Sequence, residues 1–249
     1  LMTGFPNHEF HVMQLEWLKN DLARAKKAKE IGEIDWVVVL QHHSIYTTST
    51  GHMNDVLEGA GLMREGDVVD IIDESGAVDV VFTAHDRNYE RTKNIRGYRS
   101  KIVGDLREAK YYKLDNAYAE ESSGRFGEAT ATEGTIFTTS AGAGAQQRDL
   151  YPIAEVGDSS WLAFRKPDPD KGEMAATHPT FHYMKIDVTP EYLYIQAIEK
   201  DVSHLDGWEG ADDGFSGVLD SIMIRNPLQT HQSQLKKDQQ TYEAFVPQN

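Results

Sequence analysis

Two short apolar stretches decide the fold: Ile34–Gln41 (IDWVVVLQ) and Val78–Thr83 (VDVVFT). Each is a continuous apolar run rather than an alternating one, which is typical of strands buried on both faces, as in a parallel sheet. Between them, apolar residues at helical spacing around Val68–Ile72 stop at Gly76, a residue that favours helix ends. Strand, helix and strand in this order form a βαβ unit with parallel strands. The sequence therefore predicts an α/β fold.

The composition excludes several functional classes. The chain has 249 residues, with 25 Lys and Arg against 40 Asp and Glu, so its formal net charge is −15. This acidic excess argues against non-specific nucleic-acid binding, which uses basic surfaces. No apolar run approaches the roughly 20 residues that a membrane span requires. Because there is no cysteine, disulfides, thiol nucleophiles and cysteine-ligated metals are excluded.

The remaining sequence predicts further elements and a domain division. We expect an amphipathic helix over 12–29, a strand over 135–140 followed by a small-residue turn, and an antiparallel hairpin of strands 181–188 and 192–198. The segments 99–133 and 203–217 are predicted to be loops. Residues 1–227 then form one domain, and 228–249 form a polar, Gln-rich C-terminal tail.

A histidine follows each of the two strands that define the fold. His42 comes after the first strand and His85 after the second. Because the carboxyl ends of parallel strands meet at one edge of a sheet, we expect these imidazoles to lie close together. Two imidazoles suit a borderline metal such as Zn, Fe or Mn. The alternative is that both are polar strand-end residues that bind no metal, and the residues alone leave both interpretations open.

Longer segments around these histidines resemble a known family. Val39–His42, followed by Ser44–Tyr46, resembles the Val-x-x-His segment of calcineurin-like metallophosphoesterases, particularly the purple acid phosphatase branch. Val78–Thr92 (VDVVFTAHDRNYERT) is similar to the Gly-His-x-His-Asn/Ala-Tyr-Glu-Arg segment of that branch. Gln14–Leu22 resembles the preceding helix. The resemblance extends over roughly residues 10–225 and preserves the order of the segments.

The resemblance implies the carboxyl-terminal part of a four-layer α/β/β/α sandwich that hydrolyses phosphate monoesters or diesters. It implies one or two metal ions of Fe, Zn or Mn, with His42 and His85 as ligands of one ion. His52 stands where the family often has a histidine that contacts phosphate or the leaving group; a water-exposed loop histidine is the alternative. Family habit implies a secreted, periplasmic or cell-surface location.

Two departures from the family pattern qualify this prediction. The second histidine of the family motif, a metal ligand, is Arg87 here, and a guanidinium has no lone pair to donate. Arginine is instead a good bidentate phosphate partner, so we assign Arg87 to substrate binding. The amino-terminal Gly-Asp motifs of the family are absent, and Asn7–Glu9 (NHE) is interpreted as a chance similarity. With the Leu1 start, this predicts the carboxyl-terminal piece of a longer polypeptide.

A second hypothesis belongs to a different functional class. The replacement at Arg87 is also consistent with a catalytically degenerate protein that serves as a structural or binding subunit of an extracellular assembly. Homo-oligomerisation or assembly would then use the 228–249 tail. We further expect Glu90 and Arg91 to form a structural ion pair at the strand exit rather than to take part in catalysis.

Overall fold

The computed structural model describes residues 8–50, 68–101, 110–119, 123–131, 134–144, 146–156, 159–175, 180–200 and 217–229. Within these ranges the chain is mixed α/β, with two mixed sheets, a two-stranded ribbon and few helices. The α/β class predicted from the sequence is thereby confirmed.

The helices and strands follow one another in this order: α1 His8–Glu30, β1 Val38–Leu40, α2 Val68–Ser75, β2 Val80–Thr83, β3 Tyr89–Thr92, β4 Asn94–Lys101, β5 Lys110–Ala119, β6 Gly127–Thr130, β7 Ile136–Ser140, β8 Leu162–Lys166, β9 His182–Val188, β10 Tyr192–Glu199 and β11 Gly217–Arg225. Two short 3₁₀ helices, Ile153–Glu155 and Pro169–Lys171, flank β8.

A five-stranded sheet in the order β1-β2-β7-β3-β8 carries the predicted βαβ unit. Strands β1 and β2 pair in parallel, with Leu40 opposite Phe82, and β2 pairs in parallel with β7. Strand β3 runs antiparallel to both of its neighbours, β7 and β8. The carboxyl ends of β1, β2 and β7 therefore lie at the same edge of the sheet.

Helices α1 and α2 cover one face of this sheet. Leu18 and Leu22 of α1 and Ile72 of α2 are buried in one cluster with Val81 and Phe137 from the central strands. The buried leucines repeat at helical spacing, which confirms the amphipathic helix predicted for this region.

A four-stranded sheet in the order β6-β11-β10-β9 covers the opposite face. Val80 and Ile136 of the first sheet pack against Leu193, Ile195 and Ile222 of the second. Strands β9 and β10 pair antiparallel around the turn at 189–191, which confirms the predicted hairpin. The described elements thus form three layers: helices, the five-stranded sheet and the four-stranded sheet.

The prediction that Ile34–Gln41 is a strand buried on both faces is wrong. Strand β1 contains only three residues, and Val38 and Leu40 are 43% and 74% exposed. The reason is its place in the sheet: within the described residues, β1 is the edge strand and has a neighbour only on the side of β2. A run of valines predicts a strand, but not the number of its neighbours.

The prediction that 99–133 consists of loops is also wrong. Strands β4 and β5 form an antiparallel ribbon, and β6 joins the second sheet beside β11. Strands β3 and β8 were likewise not predicted. Strand β3 reads Tyr-Glu-Arg-Thr, yet all four residues are buried, because their polar groups find partners elsewhere in the fold.

Three predictions fall largely outside the described residues, and one of them is the loop expected over 203–217, of which only residue 217 is described. His52 lies in the segment 51–67, and nearly all of the 228–249 tail lies beyond residue 229. Among the described helices, none combines the length and the apolar character that a membrane crossing requires.

Candidate metal centre

The polypeptide keeps the ends of β1 and β2 side by side beyond the strands themselves. The Gln41 backbone N–H donates to the Phe82 carbonyl at 3.0 Å, and the Ala84 N–H donates to the His42 carbonyl at 2.9 Å. These bonds extend the parallel ladder into the two turns. As a result, His42 and His85 leave the same sheet edge next to each other.

Three imidazoles converge at this edge. His42 Nε2 and His85 Nδ1 are 2.9 Å apart, so one of these nitrogens donates a hydrogen bond to the other. The ring of His43 lies 5.0 Å from that of His42 and 4.5 Å from that of His85, between centroids. One nitrogen from each of the three rings lies within 4.8 Å of the other two. The expected proximity of His42 and His85 is confirmed, and His43 joins them.

The turn that carries His85 has an unusual backbone. His85 has φ +63° and Arg87 has φ +56°, values that residues other than glycine adopt infrequently. Asp86, between them, is fully buried. Such conformations cost free energy and persist only where the surrounding structure enforces them. The backbone conformation at His85 is therefore held by the surrounding fold.

A buried carboxylate fixes the loop that follows His43. The Thr47 hydroxyl donates to Glu90 Oε1 at 2.8 Å, and the Thr48 hydroxyl donates to Oε2 at 2.7 Å. The Thr48 backbone N–H adds a bond of 2.9 Å to Oε2. Burial raises the pKa of Glu90 to about 7, although the bonds from Thr48 and Thr47 act in the opposite direction. Glu90 thereby joins the loop after His43 to the strand after His85.

The expected Glu90–Arg91 ion pair is not what the structure shows for these residues. Arg91 Nε forms a salt bridge with Asp220 Oδ2 of β11 at 2.6 Å, and both side chains are fully buried. The Tyr89 hydroxyl donates to the same oxygen at 2.7 Å. Successive residues of a strand point to opposite faces, so Glu90 faces the loop while Tyr89 and Arg91 face the second sheet.

Arg87, the predicted phosphate-binding residue, has a second arginine as its neighbour. The Arg148 backbone N–H donates to the Arg87 carbonyl at 3.3 Å. The segment of Arg148 is fixed to the loop after His43 by the bond from the Tyr151 N–H to the Thr48 carbonyl, 2.8 Å. In the part of the chain that the structure describes, Arg148 Nε is buried without a hydrogen-bond partner. Two guanidinium-bearing residues thus lie on adjacent segments beside the histidines.

The donor set fits one borderline metal ion. Imidazole is a preferred ligand of Zn, Cu, Fe and Ni, whereas Mg and Ca prefer oxygen ligands. Among the described residues, these three histidines are the only group of three or more candidate ligands with converging donor atoms. The sequence singled out His42 and His85 and missed His43, although the His42-His43 doublet was a visible signal.

A cavity of about 450 Å³ lies at the opposite edge of the sheet. Its lining includes Ile34 and Asp35 before β1, Ala77 before β2, and Leu228. Ile34, Asp35 and Ala77 precede their strands, whereas the histidines follow them. The cavity is therefore separate from the candidate metal centre.

The chain is similar to parts of known phosphatases. It is 30% identical to purple acid phosphatase 18 of Arabidopsis thaliana over 106 residues, which is 43% of this chain and 22% of the relative. It is 34% identical to purple acid phosphatase 22 of the same plant over 107 residues, again 43% and 22%. An uncharacterized Mycobacterium tuberculosis protein is 34% identical over 84 residues, 34% of this chain and 14% of that protein.

These matches are partial. The chain spans about a fifth of the length of the plant relatives it matches, 22% in each case. No family model matches the chain. The similarities indicate a metallophosphoesterase-like relationship for the matched part of the chain.

Proposed function

We propose that this chain carries part of the active site of a metal-dependent phosphoester hydrolase. The observation that supports this most directly is the contact between His42 and His85 at the shared edge of two parallel strands, 2.9 Å between ring nitrogens. Both residues lie in the segments that resemble purple acid phosphatases. The proposal includes the four-layer sandwich of that family.

The roles of the residues follow from their chemistry. His42 and His85 would donate imidazole lone pairs to an Fe, Zn or Mn ion. When bound, such an ion polarises the phosphoryl group of a monoester or diester and supplies a nucleophile at neutral pH. Arg87 would bind phosphate oxygens through its planar pair of donors, and Arg148 adds a second positive charge nearby. His52 would contact the phosphate or the leaving group.

Arg87 also disfavours a second metal ion close to the first. At an assumed separation of ~5 Å and an effective dielectric constant of ~20, the repulsion between a guanidinium and a dication is about 6–7 kcal/mol. A phosphate group between them would replace this repulsion with attraction. We therefore propose a site of one ion and an arginine-bound phosphate.

The test uses the full-length protein that contains this chain, purified without a polyhistidine tag. We expect copurified Fe, Zn or Mn and hydrolysis of p-nitrophenyl phosphate that a chelator abolishes. Arg87→Ala should raise the KM for this monoester, whereas Arg24→Ala, which removes an exposed arginine of α1, should not. Metal-free protein without turnover would contradict the proposal.

That contrary result would support the second candidate, a catalytically degenerate structural or binding subunit. The observation that favours it is Arg87 itself, a cation in place of a ligand. Arg87→His distinguishes the two candidates: in a degenerate but otherwise intact site, this substitution restores hydrolysis, whereas in an active enzyme it removes a phosphate contact. We also propose that the protein lies outside the cytoplasm and that residues 228–249 mediate assembly.

A further inference from the structure

We propose that His43 is a third metal ligand, so that this chain alone supplies a three-imidazole site. The inference rests on the proposed function, because the ion concerned is the one assigned to His42 and His85. It goes beyond that function by adding a ligand that the family resemblance does not include. It also predicts that this stretch of chain binds a metal ion with its own residues.

The backbone turns in a way that brings neighbouring histidines to one side. In an extended strand, His42 and His43 would point to opposite faces. Here β1 ends at Leu40 and both histidines lie in a bend, with ring centroids 5.0 Å apart. The buried Gln41 side chain stabilises the bend, because its Nε2 donates to the His43 carbonyl at 2.7 Å.

Residues on both sides of the imidazoles fasten the two turns together. The hydroxyl of Ser44, directly after His43, donates to the carbonyl of Ala84, directly before His85, at 2.9 Å. Ser44 also accepts a hydrogen bond from the Thr139 hydroxyl of β7 at 3.0 Å. The backbone positions of His43 and His85 are therefore coupled through a single buried side chain.

The distances match metal coordination after small side-chain rotations. Zinc–imidazole bonds of about 2.0–2.1 Å in a tetrahedral site place two ligand nitrogens about 3.3 Å apart. The His42–His85 nitrogen pair is 2.9 Å apart, and every pair in the group lies within 4.8 Å. The two nitrogen pairs that involve His43 thus need changes of at most about 1.5 Å, which partly exposed rings achieve by rotation.

A three-histidine site has a defined chemical character. Three protein ligands leave the fourth position of a tetrahedral ion open, which is the arrangement of catalytic rather than structural zinc sites. That open position would be available to an anionic ligand such as the phosphate assigned to Arg87. We therefore expect selectivity for Zn²⁺ and Co²⁺ over Mg²⁺ and Ca²⁺.

Binding of Co²⁺ tests the inference without relying on catalysis. The full-length, untagged protein is stripped with chelator and titrated with Co²⁺, whose visible absorption reports four-coordinate geometry, and affinity is measured by competition with a chromophoric chelator. Loss of a neighbour that only orients a ligand costs about tenfold or more in metal affinity. We therefore expect His43→Ala, like His42→Ala and His85→Ala, to weaken binding at least about tenfold.

Control variants separate ligation from structure. His8→Ala, which removes a histidine at the start of α1, should leave the affinity unchanged, and His43→Gln should lose affinity while keeping the thermal stability of the metal-free protein. Wild-type affinity and Co²⁺ spectrum in His43→Ala would overturn the inference. If chelator-sensitive hydrolysis persists in that case, the proposed function stands while this inference fails. Tight Co²⁺ binding that depends on His43, in a protein without chelator-sensitive hydrolysis, would support this inference and contradict the proposed function.

Discussion

Two groups of histidines in the described part of the chain lie in contrasting environments. At the sheet edge, His42, His43 and His85 are partly or fully exposed, and their ring nitrogens converge on one another. Between the two sheets, His182 is only 4% exposed, and its Nδ1 and Nε2 lie 2.8 Å from the Thr180 carbonyl and 3.0 Å from the Ser140 hydroxyl. The protein satisfies both nitrogens of His182, which leaves no lone pair for a metal.

The same contrast extends to the carboxylates of the two regions. Asp220, between the sheets, binds the guanidinium of Arg91 and the hydroxyl of Tyr89. Glu90, behind the histidine edge, binds only uncharged donors among its described partners, Thr47 and Thr48. A cationic partner favours the ionised form of a buried carboxylate, whereas burial without such a partner favours the protonated form. Residues of the same type therefore differ in role between the two regions because their environments differ.

The largest expected loss of unfolding free energy comes from a substitution between the two sheets. Asp220→Ala leaves the fully buried Arg91 without its counter-ion, and breaking a buried pair in this way costs about 3–5 kcal/mol. Urea denaturation measures the loss, with Asp220→Asn as a milder variant in case the alanine variant does not fold. Asp21→Ala, which breaks the exposed pair with Arg24, should cost less than about 1 kcal/mol. Equal losses of unfolding free energy in Asp220→Ala and Asp21→Ala would contradict the expected difference between the buried and the exposed ion pair.

The second-largest expected effect is the pH dependence that Glu90 gives to the unfolding free energy. Its pKa is raised from an ordinary value of 4.5 to about 7, so the folded state favours the protonated acid. This stabilisation is fully present below pH 4.5 and is lost as the pH rises through 7, about 3 kcal/mol in all at 1.36 kcal/mol per pKa unit.

Glu90→Gln removes this titration. The unfolding free energy of the variant should gain about 3 kcal/mol relative to the wild type between pH 4 and pH 8. Denaturation series at several pH values measure the change, and Glu128→Gln on the exposed surface serves as the control. Parallel pH profiles for Glu90→Gln and the wild type would show that Glu90 is already ionised in the folded protein at acidic pH.

A third variant tests the close packing around His182. A Cβ added at Gly142 would overlap the His182 ring and lie 2.6 Å from the Thr180 carbonyl oxygen. Gly142→Ala should therefore cost roughly 1–3 kcal/mol, the usual penalty of overpacking. In a His182→Ala background the same change should cost less, because part of the overlap is gone. A double-mutant cycle from urea denaturation measures the difference, and additive effects would be inconsistent with the contact.

The smallest effect on stability is expected at the histidine edge. Without metal, His42→Ala should change the unfolding free energy by no more than about 0.5 kcal/mol, as exposed substitutions usually do. Zinc at 100 times its dissociation constant should add about 2.7 kcal/mol to the wild type and no more than about 1.4 kcal/mol to a variant that binds at least tenfold more weakly. Thermal melts with and without zinc measure both effects. A large loss of unfolding free energy in metal-free His42→Ala would mean that the histidines at the sheet edge also stabilise the fold.

Sequence patterns predicted the features that depend on local chain chemistry. The apolar runs that became β1 and β2, the helical spacing of Leu18 and Leu22, and the turn at 189–191 all have a local cause. The proximity of His42 and His85 followed from one general rule about parallel strands. The ligand roles of these histidines stay predictions.

The features that were missed depend on distant partners. Strand β3 is polar in sequence and buried in the fold because Glu90 and Arg91 reach Thr48 and Asp220, and no local pattern encodes those contacts. The exposure of Leu40 depends on the place of β1 in the strand order. Arg148 reaches the site only because its segment pairs with the Thr48 loop. His43 is the exception, since its signal was local and visible.

The three imidazoles and the carboxylate that fixes their loop all fall between residues 42 and 90, within one strand–helix–strand crossover and the strand that follows it. A recombination that transfers this crossover to another protein would carry all four groups in one genetic step. Arg148 lies far along the chain and would be left behind. The block would carry Arg87 along with the proposed metal ligands, so that only the second positive charge, Arg148, would have to be acquired separately.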